Sequence, residues 1–247
     1  MESKQEHILV TIGREQFKNP EREVIDFIAD PLINTLLNDI EHYPHAYVLA
    51  CLMNCQVKVE KAWSIPYKVK EALKSFEINV LGSQTLEFYQ HLFVSLSLHR
   101  FPNAKAGVFH SAIHHIQKNY GGDASRIWAG NPSSAAVVYR FLQFKGCGIK
   151  IATMTTNILA RNFKIPLSDY YSIDISPDVH VKRVFERTGL VPINAPIEHI
   201  IYKARELNPE FPGIIDYSCW EIGSKYCKAT NPLCSDCPIR SECKKIF

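Results

Sequence analysis

The chain has 247 residues, 46% of them hydrophobic, enough to bury one large core or two modest ones. Its formal net charge of +3 is too small to name a partner, and no stretch approaches the ~20 apolar residues that a membrane span needs. Residues 1–7 are acidic and polar and do not read as a signal peptide, so a cytoplasmic protein is expected. In that reducing setting eight cysteines should include metal ligands rather than structural disulfides.

In chain order, residues 8–12 have strand-like composition, but one isolated run cannot make a sheet. Helical periodicity then predicts helices over 24–40, 45–55, 58–76, 86–98, 104–120, 133–144, 150–162, 179–188, 197–207 and 212–223. Gly121-Gly122 ends the fifth of these, Asn131-Pro132 supplies a cap and first-turn proline for the sixth, and Gly189 ends the eighth. The protein is therefore expected to be mostly α. Charge is unevenly spread. Residues 1–41 hold nine acids against four bases, whereas 99–164 hold nine Lys or Arg and one acid, Asp123. A basic stretch in a near-neutral chain can meet phosphates with one face, or can simply be solvated.

Three motifs carry chemistry. The first is Cys227-x6-Cys234-x2-Cys237-x5-Cys243. Four thiolates this close need a metal or cluster to relieve their repulsion, and Pro232 and Pro238 favour a loop wrapped around it. Zinc accepts four thiolates too, but zinc ribbons usually present two Cys-x2-Cys knuckles, and the motif has one.

The second motif is Phe144-Lys145-Gly146-Cys147-Gly148-Ile149-Lys150-Ile151-Ala152, between two predicted helices. Gly-x-Gly permits a tight turn and leaves amides unshielded, and with the following helix N-terminus these suit a phosphate. An ordinary αα corner would look the same. Lys150 falls in the next helix's first turn, where the helix dipole opposes the protonated amine, which favours a nucleophile. The third is Asp178-Val179-His180-Val181-Lys182-Arg183-Val184, in which Asp178 follows Pro177 and is expected to cap a helix. His110 and His114 stand four apart, but with no third ligand evident they read as surface or phosphate-facing residues. Cys51 and Cys55 read as core residues, and Cys219 as buried beside Trp220.

Together these motifs resemble the helix-hairpin-helix DNA glycosylases of the endonuclease III type. The 6-2-5 cysteine spacing is similar to that family's iron–sulfur loop. The hairpin resembles its Leu-Pro-Gly-Val-Gly-x-Lys-Thr-Ala, with Lys150 on the Schiff-base lysine. Asp178 falls on its essential aspartate, and the order of hairpin, aspartate and cluster is the same. Weaker likeness covers 47–63, with Gln56 on the glutamine that fills the space of a flipped base, and 98–105, on the turn before the helix leading to the hairpin.

The resemblance implies an all-α, two-lobed fold. Residues 1–43 would be an extension packing on the cluster lobe, 44–162 a helical barrel ending in the hairpin, and 163–247 the cluster lobe, with its loop at 227–243. It implies a [4Fe–4S] cluster on Cys227, Cys234, Cys237 and Cys243. The partner would be double-stranded DNA with a damaged base or abasic site, bound by a monomer that is nucleoid-associated if prokaryotic. Gln56, Lys145, Gly146, Gly148, Lys228 and Arg240 would contact DNA, and Lys150 and Asp178 would catalyse base excision and strand cleavage. Oxidised pyrimidines are the default substrates by resemblance alone. A monofunctional glycosylase using water and a non-catalytic DNA-binding iron–sulfur protein are the alternatives.

The chain departs from the pattern in three ways. Lys145 replaces the hairpin proline, the first 40 or so residues have no counterpart, and the Lys150–Asp178 interval is long. The excess, in 164–176, holds Asp169, Tyr170, Tyr171 and Asp174. It reads as a surface excursion with one buried ring, ahead of a loop that stacks on a base, and Asp169 is an alternative partner for Lys150.

Overall fold

The computed structural model describes residues 6–246, and every regular element among them is helical. The first helix corrects the strand-like reading of residues 8–12. They lie in α1 (Ile8–Phe17), which His7 caps by accepting the Leu9 N–H on Nδ1 at 3.3 Å. No second strand is present among the described residues to pair with this run. As a helix it buries Leu9 and Val10 and packs on the 3₁₀ turn Pro212–Ile215, so tertiary contact overrides β-propensity.

α2 (Pro31–Asn38) is much shorter than the helix predicted over 24–40. Asp30 caps it, accepting from Leu32 and Ile33 N–H at 3.0 and 3.4 Å, and Pro31 takes the first position. The residues ahead are irregular. Asn34 and Asn38 bond the backbone of Ile28 and Ile25 through both the oxygen and the nitrogen of their side-chain amides. These bonds satisfy the polar groups that a longer helix would have paired internally.

α3 (Pro44–Met53) is buried along its whole length, with α2, α4 (Val59–Leu73) and α7 (Pro102–Tyr120) packed on it. α5 (Ile78–Gly82), which periodicity does not mark, and α6 (Leu86–Ser95) pack on α7. α7 stops at Gly121, whose φ of 62° makes the expected left-handed cap. These helices form one compact unit, Glu23–Asn131 with Tyr139–Ile151. α2 belongs to it, with Ile33, Leu36 and Leu37 buried.

The second unit joins the chain up to Arg22 with Pro132–Val138 and Ala152 onward. Two of the unit boundaries fall inside α8 (Ser134–Leu142) and α9 (Ile149–Arg161). α10 (Val179–Thr188), α11 (Ile197–Leu207) and α12 (Asp216–Lys225) follow. The helix predicted over 212–223 is two elements, because Gly213 is pulled aside by its N–H bond to the Ile173 carbonyl at 2.7 Å.

α10 and α12 cross at Gly223. A Cβ there would stand 2.6 Å from His180 Cβ and 2.9 Å from its carbonyl oxygen, and neither atom can swing away. Gly223→Ala should therefore force the helices apart and cost about 2–3 kcal/mol, seen as a lower urea midpoint with an unchanged slope. An unchanged midpoint would show that the crossing is looser than this geometry. None of the helices is long and apolar enough to cross a membrane.

Candidate nucleic-acid interface and thiolate site

The hairpin lies in the first unit. α8 ends at Leu142, and Phe144 anchors the turn, buried with its ring 4.4 Å from that of His115. The Cys147 N–H closes the turn on the Phe144 carbonyl at 3.0 Å. Gly146 has φ +76°, and a Cβ there would press on Val108 of α7 at 3.1 Å, so both conformation and packing require glycine. Gly148 differs. Its φ is ordinary and nothing lies within 4 Å of where its Cβ would stand. Lys145 is exposed, and Lys150, half-buried, is the second residue of α9. Burial pushes the Cys147 thiol up to about 12, which leaves it protonated rather than a thiolate nucleophile.

Gln56 is exposed in the loop between α3 and α4, with a left-handed φ of 56°. Two side chains that sequence reasoning passed over hold this loop. His99 bonds the Cys55 carbonyl through Nε2 at 3.0 Å, and Lys105 donates to the Leu52 carbonyl at 3.2 Å. Burial first, then the charge of Lys105, lowers His99 below its ordinary value, so it is neutral. Its Nδ1 accepts the Phe101 N–H at 3.0 Å, which places the proton on Nε2 as the donor to Cys55. Phe101 itself is 43% exposed, with the Arg100 guanidinium 5.2 Å from its ring centre.

Asp178, in the second unit, is the cap of α10, accepting the His180 and Val181 N–H groups on one oxygen at 2.8 and 2.9 Å. Asp169, the alternative partner, accepts the hydroxyl of the fully buried Ser134. The rest of the excursion is held down as well. Tyr170 stacks on Phe211 at 5.0 Å, and Asp174 pairs with Arg205 through two bonds of 2.7 Å. Tyr171 is 58% exposed.

The four C-terminal cysteines line one hollow, walled by Val184, Thr188 and Ile222 and edged by Arg187, Arg240 and Lys245. The loop is held by turns such as Leu233 N–H to the Tyr226 carbonyl at 2.9 Å. Two arginines of α10 clasp it. Arg183 donates to the carbonyls of Cys227 and Gly223, and Arg187 to those of Lys228 and Ala229 and to Cys227 Sγ at 3.5 Å. Burial raises the Cys237 thiol, and the charges of Cys227, Cys243 and Cys234 raise it further, so four thiolates would repel across this hollow. Among the described residues no three His, Cys, Asp or Glu converge on the position of a single metal ion. Lys228 and Arg240 are exposed. Elsewhere, Cys51 and Cys219 are buried and Cys55 is half-buried. His110 and His114 meet through their Nε2 atoms at 3.0 Å.

No family model matches the sequence. Endonuclease III of Thermotoga maritima is 31% identical over 103 residues, which cover 42% of this chain and 44% of that protein. The chain thus spans less than half the length of this curated relative. In fold the likeness extends over most of the chain. A trapped endonuclease III–DNA covalent intermediate superimposes with a TM-score of 0.64 at 17% identity, covering 96% of this chain and 93% of the other. A thermostable thymine-DNA glycosylase gives 0.64 at 12% identity, covering 96% and 94%. An 8-oxoguanine glycosylase/lyase of Clostridium acetobutylicum, bound to double-stranded DNA, gives 0.57 at 14%, covering 85% and 76%.

Proposed function

We propose that this chain, which has the all-α fold of the endonuclease III-type helix-hairpin-helix DNA glycosylases, is a DNA base-excision repair glycosylase with apurinic/apyrimidinic lyase activity. The observation that carries this reading is the hairpin. Gly148 is required neither by backbone strain nor by packing within the chain, and Lys150 follows it in the first turn of α9. A glycine of that kind suits a place where something from outside, such as a DNA phosphate, comes up against the backbone.

A base inside a duplex is out of reach, so the nucleotide would be flipped into a pocket and Gln56 would fill the gap. Amides around Gly146 and Gly148, with Lys145, would hold the backbone phosphates. The Lys150 amine would attack C1′ of the sugar as the N-glycosidic bond breaks and the base departs with a proton. The C1′–O4′ bond then opens, with the amine's proton passing to O4′, to give an imine, and loss of a C2′ proton lets the 3′ phosphate leave by β-elimination, which cuts the strand. Asp178 would stabilise the positive charge that the sugar gains as the base leaves.

Cys227, Cys234, Cys237 and Cys243 would hold a [4Fe–4S] cluster. An all-sulfur donor set around one hollow, edged by three cations, suits an anionic cluster. Each thiolate of such a cluster binds a different iron, so the four need not converge on one point as they would on zinc. When bound, the cluster would anchor the loop that presents Lys228 and Arg240 to DNA, and no step of base excision passes through it.

Asp178→Asn tests the assignment cleanly, because asparagine caps a helix as well as aspartate does. Base release from a panel of lesion-bearing duplexes should fall about 10²–10⁴-fold, with thermal stability and duplex affinity little changed. A variant as active as the parent would remove Asp178 from the mechanism.

A further inference from the structure

α12 opens on Asp216, a carboxylate that does not cap its own helix. It is buried and accepts the Ser176 backbone N–H at 2.6 Å, two residues before Asp178. The Ser176 hydroxyl lies 3.2 Å from that of Thr153 on α9, and the Asp178 N–H bonds the Ser176 carbonyl at 2.7 Å. The charged and titratable groups in electrostatic reach are Arg161 of α9, Asp178 at the start of α10, and Cys219 on α12 itself. A buried acid that grips the segment carrying another acid is an expensive way merely to hold a loop, which a hydroxyl or an amide could do.

We propose that Asp216 is a positioning residue for Asp178. It fixes the Ser176–Asp178 segment and sets a second negative charge behind the Asp178 carboxylate, against which the cationic sugar is stabilised. The proposal rests on the glycosylase reading above. Burial foremost, with a contribution from Asp178, raises Asp216 from 3.8 to about 6, and its bonds to Ser176 and the charge of Arg161 offset only part of this. The folded chain therefore binds a proton that the unfolded chain releases between those values. The ionised form costs stability at neutral pH, and the cost shrinks as pH falls below about 6 and is gone below 3.8. Such a cost is characteristic of a charge kept for function.

Asp216→Asn should keep an acceptor for Ser176 and raise Tm at pH 7.5 by on the order of 5 °C. Single-turnover base release at pH 7.5 should fall about tenfold with lesion-duplex affinity unchanged. The parent's rate should climb through pH 6, while the variant's profile stays flat between about pH 5 and 7.5. An inflection near pH 6 that survives in the variant, or a lowered Tm with an unaltered rate, would overturn the proposal.

The coupling has a readout that needs no activity. Carbon-13 carboxyl titration of Asp216 should show its midpoint falling in Asp178→Asn, and an unmoved midpoint would overturn it, whether or not Asp216→Asn folds. If the parent itself releases no base from any lesion, the glycosylase reading fails, whereas failure of the titration or of the pH profile in an active enzyme removes only this role of Asp216.

Discussion

Lys150→Ala should abolish the covalent complex that borohydride traps between this protein and abasic-site DNA. The argument is chemical. Only a primary amine can form the imine that borohydride reduces, and the proposal gives that role to the second residue of α9. Alanine is the best helix former and the position is half-buried, so the substitution should leave the hairpin folded. Trapping and strand cleavage should fall by ~10³-fold or more, while duplex affinity changes little. The check is a denaturing gel of labelled duplex treated with borohydride. Base release that persists in Lys150→Ala but not in Asp178→Asn would select water as nucleophile and remove the lyase. An undiminished adduct in Lys150→Ala would assign the amine to another residue.

Losing the proposed cluster should have the second large effect, on stability as much as on activity. Protein purified without oxygen should be brown, with broad visible absorbance and about four irons per chain. Cys237→Ser should lose that absorbance and lower Tm by about 10 °C or more, since a metal-built loop draws its folding energy from its ligands. Cys237 is the informative choice because its thiol already feels the other three. The effect should also reach base excision. Arg183 and Arg187 clasp the cysteine loop from α10, the helix that Asp178 caps, so a collapsed loop withdraws their carbonyl partners. One zinc and no iron in the purified chain would overturn the cofactor assignment, though not that of the hairpin.

Much of this was legible in the chain because its signals are local. The Asp178 cap acts over three residues, the Gly121 and Gly189 stops over one turn, and the cysteine spacing spans a single loop, so neighbouring residues carry them whatever the rest of the fold does. The all-α architecture follows from periodicity that most helices obey on their own.

Burial, by contrast, depends on partners far away in sequence. Residues 8–12 look like a strand and become α1 because residues 212–215 offer a helical face to bury on. Asp30-Pro31 is a local start signal, but periodicity obscured it by running through residues 24–30, which side-chain amides hold out of the helix. Tyr170 and Asp174 turn inward only because Phe211 and Arg205 are there to meet them. Asp216, read along the chain, is one more acid inside the helix predicted over 212–223. Its grip on Ser176, forty residues away in sequence, exists only in the folded molecule, because pairing of distant polar groups is settled by where the core excludes water.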